Sequence, residues 1–438
     1  MYKKYPGVVT RFLRQDERLI LSEEKEMPLV IEAEGASDFE FLQHFLVRNS
    51  HHILKDLTYY GAVLLRGFSL ETDEQFEKLI LSIPEFRGIS EAFMSENGRD
   101  HLNNLDYVLH TNSVYKTGGT LYLGGFHTEN YYSADVPGYL CFCCFQPSEL
   151  GGETGLINSQ KIYAHLNDEL KQKLEEKSFF VCKWTIAEIA DRYKITPCAV
   201  DKICHHFKLP VVGEGEDRFV LMYKPSVLEH PITHEKALQI NMFELETLNY
   251  ELRKCFMKDY KGKAWFWHRF FWKLPTPVFN SVEKIAVIVI SFSKSPKNSY
   301  KILRNKLFRF KQSRKVKHFP MDTVKVGSCF DDKEVKELAL SMRQFYSSCL
   351  WKKGDVLLID NRKVMHAGMP GFGNRLIRAM ICNPLDMSYS EAETGILIAK
   401  ERITDTIGAY MEKGKIETKI EPISGKTAVM DCLGMDQE

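Results

Sequence analysis

The chain has 438 residues, 44% of them apolar and 27% charged, with a formal net charge of +1. That is enough apolar material for a large core, in one elaborated domain or in two, and the even charge balance argues against a protein built as a whole to bind nucleic acid. The start Met1-Tyr-Lys-Lys has no apolar secretory core behind it, the most apolar run, Ile285 to Phe292, is far too short to span a bilayer, and an odd count of 11 cysteines without regular spacing reads as reduced thiols, so a cytoplasmic location is expected.

Apolar spacing predicts helices over residues 36–54 and 72–84 around a strand over 60–68, with Thr72 or Asp73 as the N-cap of the second helix. The next informative stretch is Leu121-Tyr-Leu-Gly-Gly-Phe-His-Thr-Glu-Asn130. In an extended strand His127 and Glu129 leave from the same face, so one short strand offers an imidazole and a carboxylate to one metal. A His-x-Glu pair is ordinary when isolated, and its meaning depends on its company. Cys141, Cys143 and Cys144 follow Pro137 in a strand-like run and read as small buried hydrophobes.

Val181 to Leu209 is predicted to be helical. Ile189 to Ile203 superficially resembles a DNA-reading helix-turn-helix, but two short amphipathic helices around Thr196-Pro197 form a common packing unit, which is the preferred reading. Cys198 and Cys204-His205-His206 lack the paired spacing of a structural zinc site. Lys258 to Phe319 then holds sixteen basic residues against two acidic ones, leaving 43 basic and 56 acidic residues elsewhere. Trp265, Phe266, Trp267, Phe270, Phe271 and Trp272 are interleaved with that charge. Three contacts are open for it: an anionic membrane surface, an acidic partner such as a carrier protein, or nucleic acid; a lid with aromatics packed on the core competes with all three.

In Trp351-Lys-Lys-Gly-Asp-Val-Leu-Leu-Ile-Asp-Asn-Arg-Lys-Val-Met-His366, a Gly-Asp turn opens an apolar strand and Asp360-Asn361 closes it before His366. With His127 and Glu129 this makes two His and one carboxylate, the set that leaves three adjacent octahedral positions open in non-haem Fe(II) oxygenases. After about residue 386 the pattern predicts a helical tail from Ser390 to Lys413, ending in a polar strip.

Phe126-His-Thr-Glu-Asn-Tyr-Tyr132, Pro137, Gln146-Pro-Ser-Glu-Leu-Gly-Gly-Glu-Thr-Gly-Leu156 and the Trp351 to Arg378 segment resemble, in this order, the TauD/TfdA (taurine dioxygenase, clavaminate synthase-like) family of Fe(II)- and 2-oxoglutarate-dependent dioxygenases. Tyr60-Gly-Ala-Val-Leu-Leu-Arg-Gly-Phe68 with Thr72 to Phe76 is similar to that family's first strand and helix, and His230-Pro-Ile-Thr233 with Gln239-Ile-Asn241 to a segment on its substrate side. His-x-Glu in place of His-x-Asp resembles the branch that acts on amino acids or on amino acids tethered to a carrier.

The resemblance implies a mixed α/β fold with a β-rich core, a double-stranded β-helix or jelly roll with flanking helices. It places one dioxygenase domain over 1–385, with a helical insertion at about 181–209 and the basic aromatic insertion at about 258–319, and a helical tail over 386–438. It also implies His127, Glu129 and His366 as metal ligands and catalytic residues, Fe(II) as the cofactor, and 2-oxoglutarate and O2 as co-substrates. Arg375 is implied as the cation for the distal carboxylate of 2-oxoglutarate, since a guanidinium holds a carboxylate through two parallel hydrogen bonds, and Thr154 as its hydroxyl partner. Arg378 is a second choice, available only if its strand is bulged, because three residues along a strand is the opposite face. Where some members carry a further Arg for an anionic substrate this chain has Ala379, which disfavours a sulfonate or a simple carboxylate.

The implied reaction converts 2-oxoglutarate and O2 to succinate and CO2 while oxidising an unactivated C–H of a small or carrier-tethered molecule. Hydroxylation is the default outcome, and Glu129 leaves no ligand position for chloride. Desaturation and ring closure stay open. The alternatives are an oxygenase of nucleic acid or protein working through the basic insertion, with nucleic acid the less favoured, and a non-catalytic binding protein on the same fold. A peripheral membrane or acidic carrier contact through 258–319 is the partner expectation.

Overall fold

A computed structural model of the chain describes residues 5–89, 102, 104–111, 125–129, 137–176, 178–209, 211–215, 218–239, 246–275, 277–279, 281–282, 285, 330–384, 390–391, 397–398 and 407–420. Its first half sets up an α/β layer: β1 (Val8–Phe12), β2 (Leu29–Ala33), helix α1 (Phe39–Tyr60), β3 (Ala62–Arg66) and helix α2 (Asp73–Leu81). α1 begins at Asp38, whose side chain accepts from the Phe41 N–H, and stops at Gly61 in the left-handed region. A Cβ at Gly61 would lie 2.6 Å from a Val364 methyl, so the tight exit into β3 requires glycine. α2 opens with Thr72 in a reciprocal capping box with Gln75, settling the choice of N-cap.

The catalytic half follows with β4 (Leu109–His110), β5 (Pro137–Gln146), β6 (Leu150–Gly151), β7 (Thr154–Asn158), helices α3 (Ser159–His165) and α4 (Asp168–Glu176), β8 (Ser178–Thr185), α5 (Ile186–Tyr193), α6 (Pro197–His206), β9 (Val211–Val212), β10 (Phe219–Pro225), β11 (Val227–Glu229), β12 (Lys236–Leu238), α7 (Glu246–Met257) and α8 (Phe266–Trp272). The chain closes with α9 (Asp332–Gln344), β13 (Tyr346–Cys349), β14 (Val356–Asp360), β15 (Val364–Gly368), β16 (Gly371–Phe372), β17 (Leu376–Pro384), the short strands β18 (Ser390–Glu391) and β19 (Leu397–Ile398), and α10 (Ile407–Glu417).

Seven strands form the major sheet in the order β1-β2-β3-β14-β5-β17-β4, and β13-β7-β15 form a minor sheet. Only β2 and β3 run parallel; the neighbours of β14, β5 and β17 are all antiparallel. Strand alternation sends Leu64, Phe142, Leu357 and Ala379 from the major sheet inward against Leu156 and Val364 of the minor sheet, one shared core between two β layers. The opposite face of the major sheet, through Val63, Cys141, Leu358 and Met380, is covered by α1 and α2. The outer face of the minor sheet, through Ile157, Tyr346 and Met365, is covered by α3, α7 and α9. Two β layers with helices outside them give the expected jelly-roll core.

Arg66 fastens the opening segment to this core. Its guanidinium, 1% exposed, binds Asp355 at 2.6 and 3.0 Å, Glu17 at 2.9 Å and the Leu350 carbonyl. Every carboxylate around it is itself buried, so the pair is satisfied and not merely enclosed. Cys141, Cys143 and Cys144 lie in the core as expected, and burial pushes their thiols up, away from reactivity.

Two expectations are corrected here. Residues 181–185 belong to β8, which pairs with β10, so the insertion begins as a strand; Phe179-Phe180-Val181-Cys182-Lys183-Trp184 is rich in aromatic and β-branched residues that suit a pleated surface. α5 and α6 do pack on each other, but as part of a small unit with β8, β9 and β10 and with Met411 of α10, which is fully buried. After 386 a helix from Ser390 to Lys413 is expected; the described residues there instead contain β18 and β19, and their helix, Ile407–Glu417, is docked on α6 and tied by His206 to Glu417 at 2.7 Å.

For 258–319, the described part, up to residue 285, matches the lid alternative with aromatics packed on the core: Tyr260, Trp265 and Trp272 are buried with the minor sheet's outer layer, while Phe266, Trp267 and Phe270 are about half exposed. Its aromatic run alternates between inward and outward positions over two helical turns, which composition by itself does not show. The stretch with most of the basic charge, 286–319, lies outside the described residues. No described helix is long and apolar enough to cross a membrane.

Candidate metal and co-substrate site

His127 sits opposite His366 in an isolated antiparallel bridge: the His127 N–H donates to the His366 carbonyl at 3.1 Å and the His366 N–H to the His127 carbonyl at 3.0 Å. The expectation of one short strand for His127 and Glu129 is thus met only at this single pair. At Glu129 the side chain of Asn361 takes the place of a neighbouring strand. Asn361 Oδ1 accepts from the Glu129 N–H at 2.7 Å, and its Nδ2 donates to the carbonyls of Glu129 at 3.1 Å and Pro137 at 2.7 Å. Buried backbone groups need partners, and one fully buried amide side chain supplies them at the point where the chain leaves the sheet.

β14 stops at Asp360, before His366, as the sequence predicts. The chain then crosses between the sheets, and His366 lies in the middle of a further strand, β15, paired with Leu156. The crossing brings the ligand from the minor sheet to meet the His127 segment. The Glu129 carboxylate lies 3.2 Å from His366 Nε2 and 3.7 Å from His127 Nε2. One ligand atom from each of the three residues lies within 4.8 Å of the other two, the one such group of metal-ligating side chains among the described residues. Phe142 packs 5.4 Å from the His366 ring, giving the group an apolar wall.

This donor set fits a divalent iron. Two neutral imidazoles and one carboxylate match non-haem Fe(II) chemistry, and His127 Nδ1 is 2.9 Å from the Gly125 carbonyl. A carbonyl only accepts, so Nδ1 carries the proton and Nε2 turns its lone pair toward Glu129 and His366, the orienting contact that metal-bound histidines depend on.

A second buried layer supports the ligand segment. Thr128 donates to Gln239 Oε1 at 3.2 Å, and Gln239 Nε2 donates to the Arg362 carbonyl at 2.7 Å. Asp360 binds His230 at 3.1 Å and the Arg362 guanidinium at 3.0 Å. Burial alone would raise the Asp360 carboxyl, but Arg362 and His230 together hold it well below the usual carboxylate range. Burial lowers His230, against the pull of Asp360. The segments around His230 and Gln239 therefore brace the ligand loop; Asn241, quoted with them, lies outside the described residues, as do Asn130, Tyr131 and Tyr132. Asn361 and Asp360 were legible only as the end of a strand, since nothing in their spacing announces a contact with Glu129.

The two arginines separate cleanly. Arg375, 7% exposed, donates to the Gly152 carbonyl and makes no ion pair among the described residues. Burial lowers its pKa, while Cys144 and Glu153 act against that. Arg378 instead binds Asp73 at the start of α2 at 3.0 Å and His110 at 3.0 Å. The strand pairing does contain a bulge: Leu376 opposes Gln146 and Ile377 opposes Cys144, so the extra residue falls on β5 and the alternation along β17 is undisturbed. Arg378 shares the outward side with Met380, and as a co-substrate residue it is corrected. Arg375 shares the inward side with Ile377 and Ala379, the latter buried opposite Phe142.

Thr154 is buried in β7, paired with Gly368 and Cys349. It stands two residues from Leu156, the partner of His366, and therefore on the same inner face. Before it, Gly151 and Gly152 both hold positive φ, +64° and +69°, and a Cβ on Gly152 would meet Ser148 Oγ at 2.1 Å. The glycine pair makes the sharp turn that presents the Gly152 carbonyl to Arg375. Metal ligands, Thr154 and Arg375 thus open on one space between the sheets.

A family model described as taurine catabolism dioxygenase TauD, TfdA family matches residues 24–253. That span contains His127, Glu129 and Thr154; His366 and Arg375 lie beyond it and join them through β15 and β17. The dapdiamide synthesis protein DdaC of Enterobacter agglomerans is 27% identical over 356 residues, covering 78% of this chain and 88% of its own. Among solved structures, the PvcB protein of Pseudomonas aeruginosa aligns at 13% identity over 87% of this chain and 93% of its own, with a TM-score of 0.43. A taurine dioxygenase of Burkholderia xenovorans aligns at 12% identity over 92% and 99%, with a TM-score of 0.42.

Proposed function

The chain belongs to the taurine catabolism dioxygenase TauD, TfdA family, and we propose that it is an Fe(II)- and 2-oxoglutarate-dependent dioxygenase in which His127, Glu129 and His366 hold the metal and Arg375 with Thr154 holds the distal carboxylate of 2-oxoglutarate. The observation that carries the assignment is the convergence of the three ligating atoms within 4.8 Å of one another, although they come from two segments more than two hundred residues apart. When bound, the iron supplies the activation of O2 that couples decarboxylation of 2-oxoglutarate to oxidation of a substrate C–H.

The protein's own contribution is placement. His127 is held in one tautomer by the Gly125 carbonyl, Glu129 is fixed through Asn361, and His366 is fixed by both the bridge to His127 and the ladder to β7. Arg375 brings an enclosed positive charge with spare donors, which suits a carboxylate held in two parallel hydrogen bonds. The core around Phe142 and Leu156 keeps bulk water from the space between the sheets.

The substrate is a small molecule. Ala379 stands at the inward position where a second cation would have been needed for an anionic group, which supports a substrate without a sulfonate or free carboxylate there. The His-x-Glu ligand pattern and the relative named for dapdiamide synthesis support an amino acid, free or as a carrier-tethered aminoacyl group. Hydroxylation is the proposed outcome.

Anaerobically reconstituted protein should bind about one Fe(II) with His127, Glu129 and His366 intact, and should form succinate from 2-oxoglutarate when O2 is admitted. Comparison of metabolite extracts incubated with active protein and with His366→Ala identifies the substrate as the compound consumed only by the former. Succinate formation that survives removal of the iron by a chelator would overturn the assignment.

A further inference from the structure

Glu153 lies in the chain between Gly152, whose carbonyl accepts from Arg375, and Thr154, the first residue of β7. The Glu153 side chain is 0% exposed, and neither carboxylate oxygen has a hydrogen-bond partner among the described residues. Alternation along β7 sends Thr154 inward and Glu153 outward, to the side of Gly155 and Tyr346; a Cβ on Gly155 would lie 2.8 Å from the Tyr346 ring. The Tyr346 and Tyr260 hydroxyls are also buried without hydrogen-bond partners, as is Ser348 Oγ. A sealed, unbonded carboxylate is strongly disfavoured in its charged form. One backbone position away, the Gly152 carbonyl accepts from Arg375, a buried cation that has no anion among the described residues.

These groups share one low-dielectric region. Burial pushes the Glu153 carboxyl up to about 7, with its own backbone, Arg375 and Tyr346 pulling the other way. The groups that face it electrostatically are Arg375 before β17, Tyr346 and Cys349 on β13, and Tyr260 before α8. Burial raises both tyrosines and the thiol well out of the neutral range, so Glu153 and Arg375 are the two members able to change or carry charge there.

We propose that Glu153 is a proton-exchanging positioning residue for the co-substrate anchor: on the alkaline side of neutrality it is ionised while Arg375 carries no anion, and there it takes up one proton from solvent when the distal carboxylate of 2-oxoglutarate docks on Arg375. This rests on the assignment of Arg375 above. The balance is one proton added to one Glu153 oxygen, with no other bond made or broken. An arriving carboxylate cancels the positive charge that favours ionised Glu153 and adds a negative one, and both effects favour the protonated form. Co-substrate binding is thereby linked to pH through a residue that does not touch the co-substrate.

The test is calorimetry of 2-oxoglutarate binding to Mn(II)-loaded protein in buffers of different ionisation enthalpy. Wild type should take up close to one proton per ligand near pH 8 and close to none near pH 5.5 (about one pH unit above and 1.5 below the midpoint), with affinity weakening by up to tenfold per pH unit above about 7. Glu153→Gln should remove that uptake and flatten the pH dependence while keeping the affinity wild type shows at the lower pH. Glu153→Asp, which retains a titrating group, should restore uptake. Equal uptake in wild type and Glu153→Gln, or none in wild type at either pH, overturns the proposal. So does a folded Glu153→Gln protein that no longer binds 2-oxoglutarate, since Glu153 would then be needed for the shape of the pocket. If wild type itself fails to bind 2-oxoglutarate, the functional assignment fails and not this coupling alone.

Discussion

Replacing Arg375 with Met keeps the bulk of a buried side chain and removes its charge and donors. The co-substrate carboxylate would then enter a space where no other described cation is offered, because Arg378 is engaged with Asp73 and His110 on the far side of the strand. Truncating one partner of a buried, hydrogen-bonded charge pair costs about 2 to 5 kcal/mol, which at 1.4 kcal/mol per tenfold is a loss of about 30- to 4000-fold in affinity for 2-oxoglutarate. Arg378→Ala, by contrast, breaks a partly exposed pair worth about 0 to 1 kcal/mol of stability and should leave co-substrate affinity within about twofold. Substrate-uncoupled succinate formation measured against 2-oxoglutarate concentration separates the two, with thermal denaturation as a control for folding. Comparable affinity losses in both variants would refute the argument from strand alternation.

Asn361→Ala leaves the Glu129 N–H and two carbonyls without their partner, and should weaken Fe(II) binding by about 10- to 100-fold, read by metal titration, while the fold is retained; unchanged metal affinity would show that Asn361 does not position Glu129. Arg66→Met leaves Asp355 buried without its cation, while Glu17 keeps Arg11 at 2.6 Å, and should cost about 3 to 5 kcal/mol in a denaturant titration. Trp265→Ala should cost about 3 to 5 kcal/mol because its ring is buried against Phe372, and for the same reason deletion of 258–319 as a whole should destabilise the protein and not merely remove an appendage. The Glu153 carboxyl is raised on folding to about 7, so its contribution to stability is fully present below its unfolded pKa and is lost as pH rises through about 7. Denaturation midpoints should therefore shift in favour of Glu153→Gln relative to wild type between about pH 5 and 8, and a constant difference would refute the burial argument.

The residues that meet the metal and the co-substrate were legible in the sequence because their chemistry is local and specific. The His-x-Glu pair and the later His after an apolar strand gain their meaning from one another, Arg375 and Thr154 were named only through the family resemblance, and the capping box at Thr72 is written in four consecutive residues. Tertiary structure decided what spacing does not encode. It placed His366 in the second sheet, gave the Glu129 backbone the Asn361 side chain as its partner, and put the bulge on β5 so that Arg378 faces away. It turned residues 178–185 into a strand by giving them β10 to pair with, and drew Trp265 and Trp272 inward from a segment whose composition left a core-packed lid and an exposed contact both open. In each case the deciding partner lies far away in the chain, and a local pattern fixes only which face a residue takes, not what will be waiting on that face.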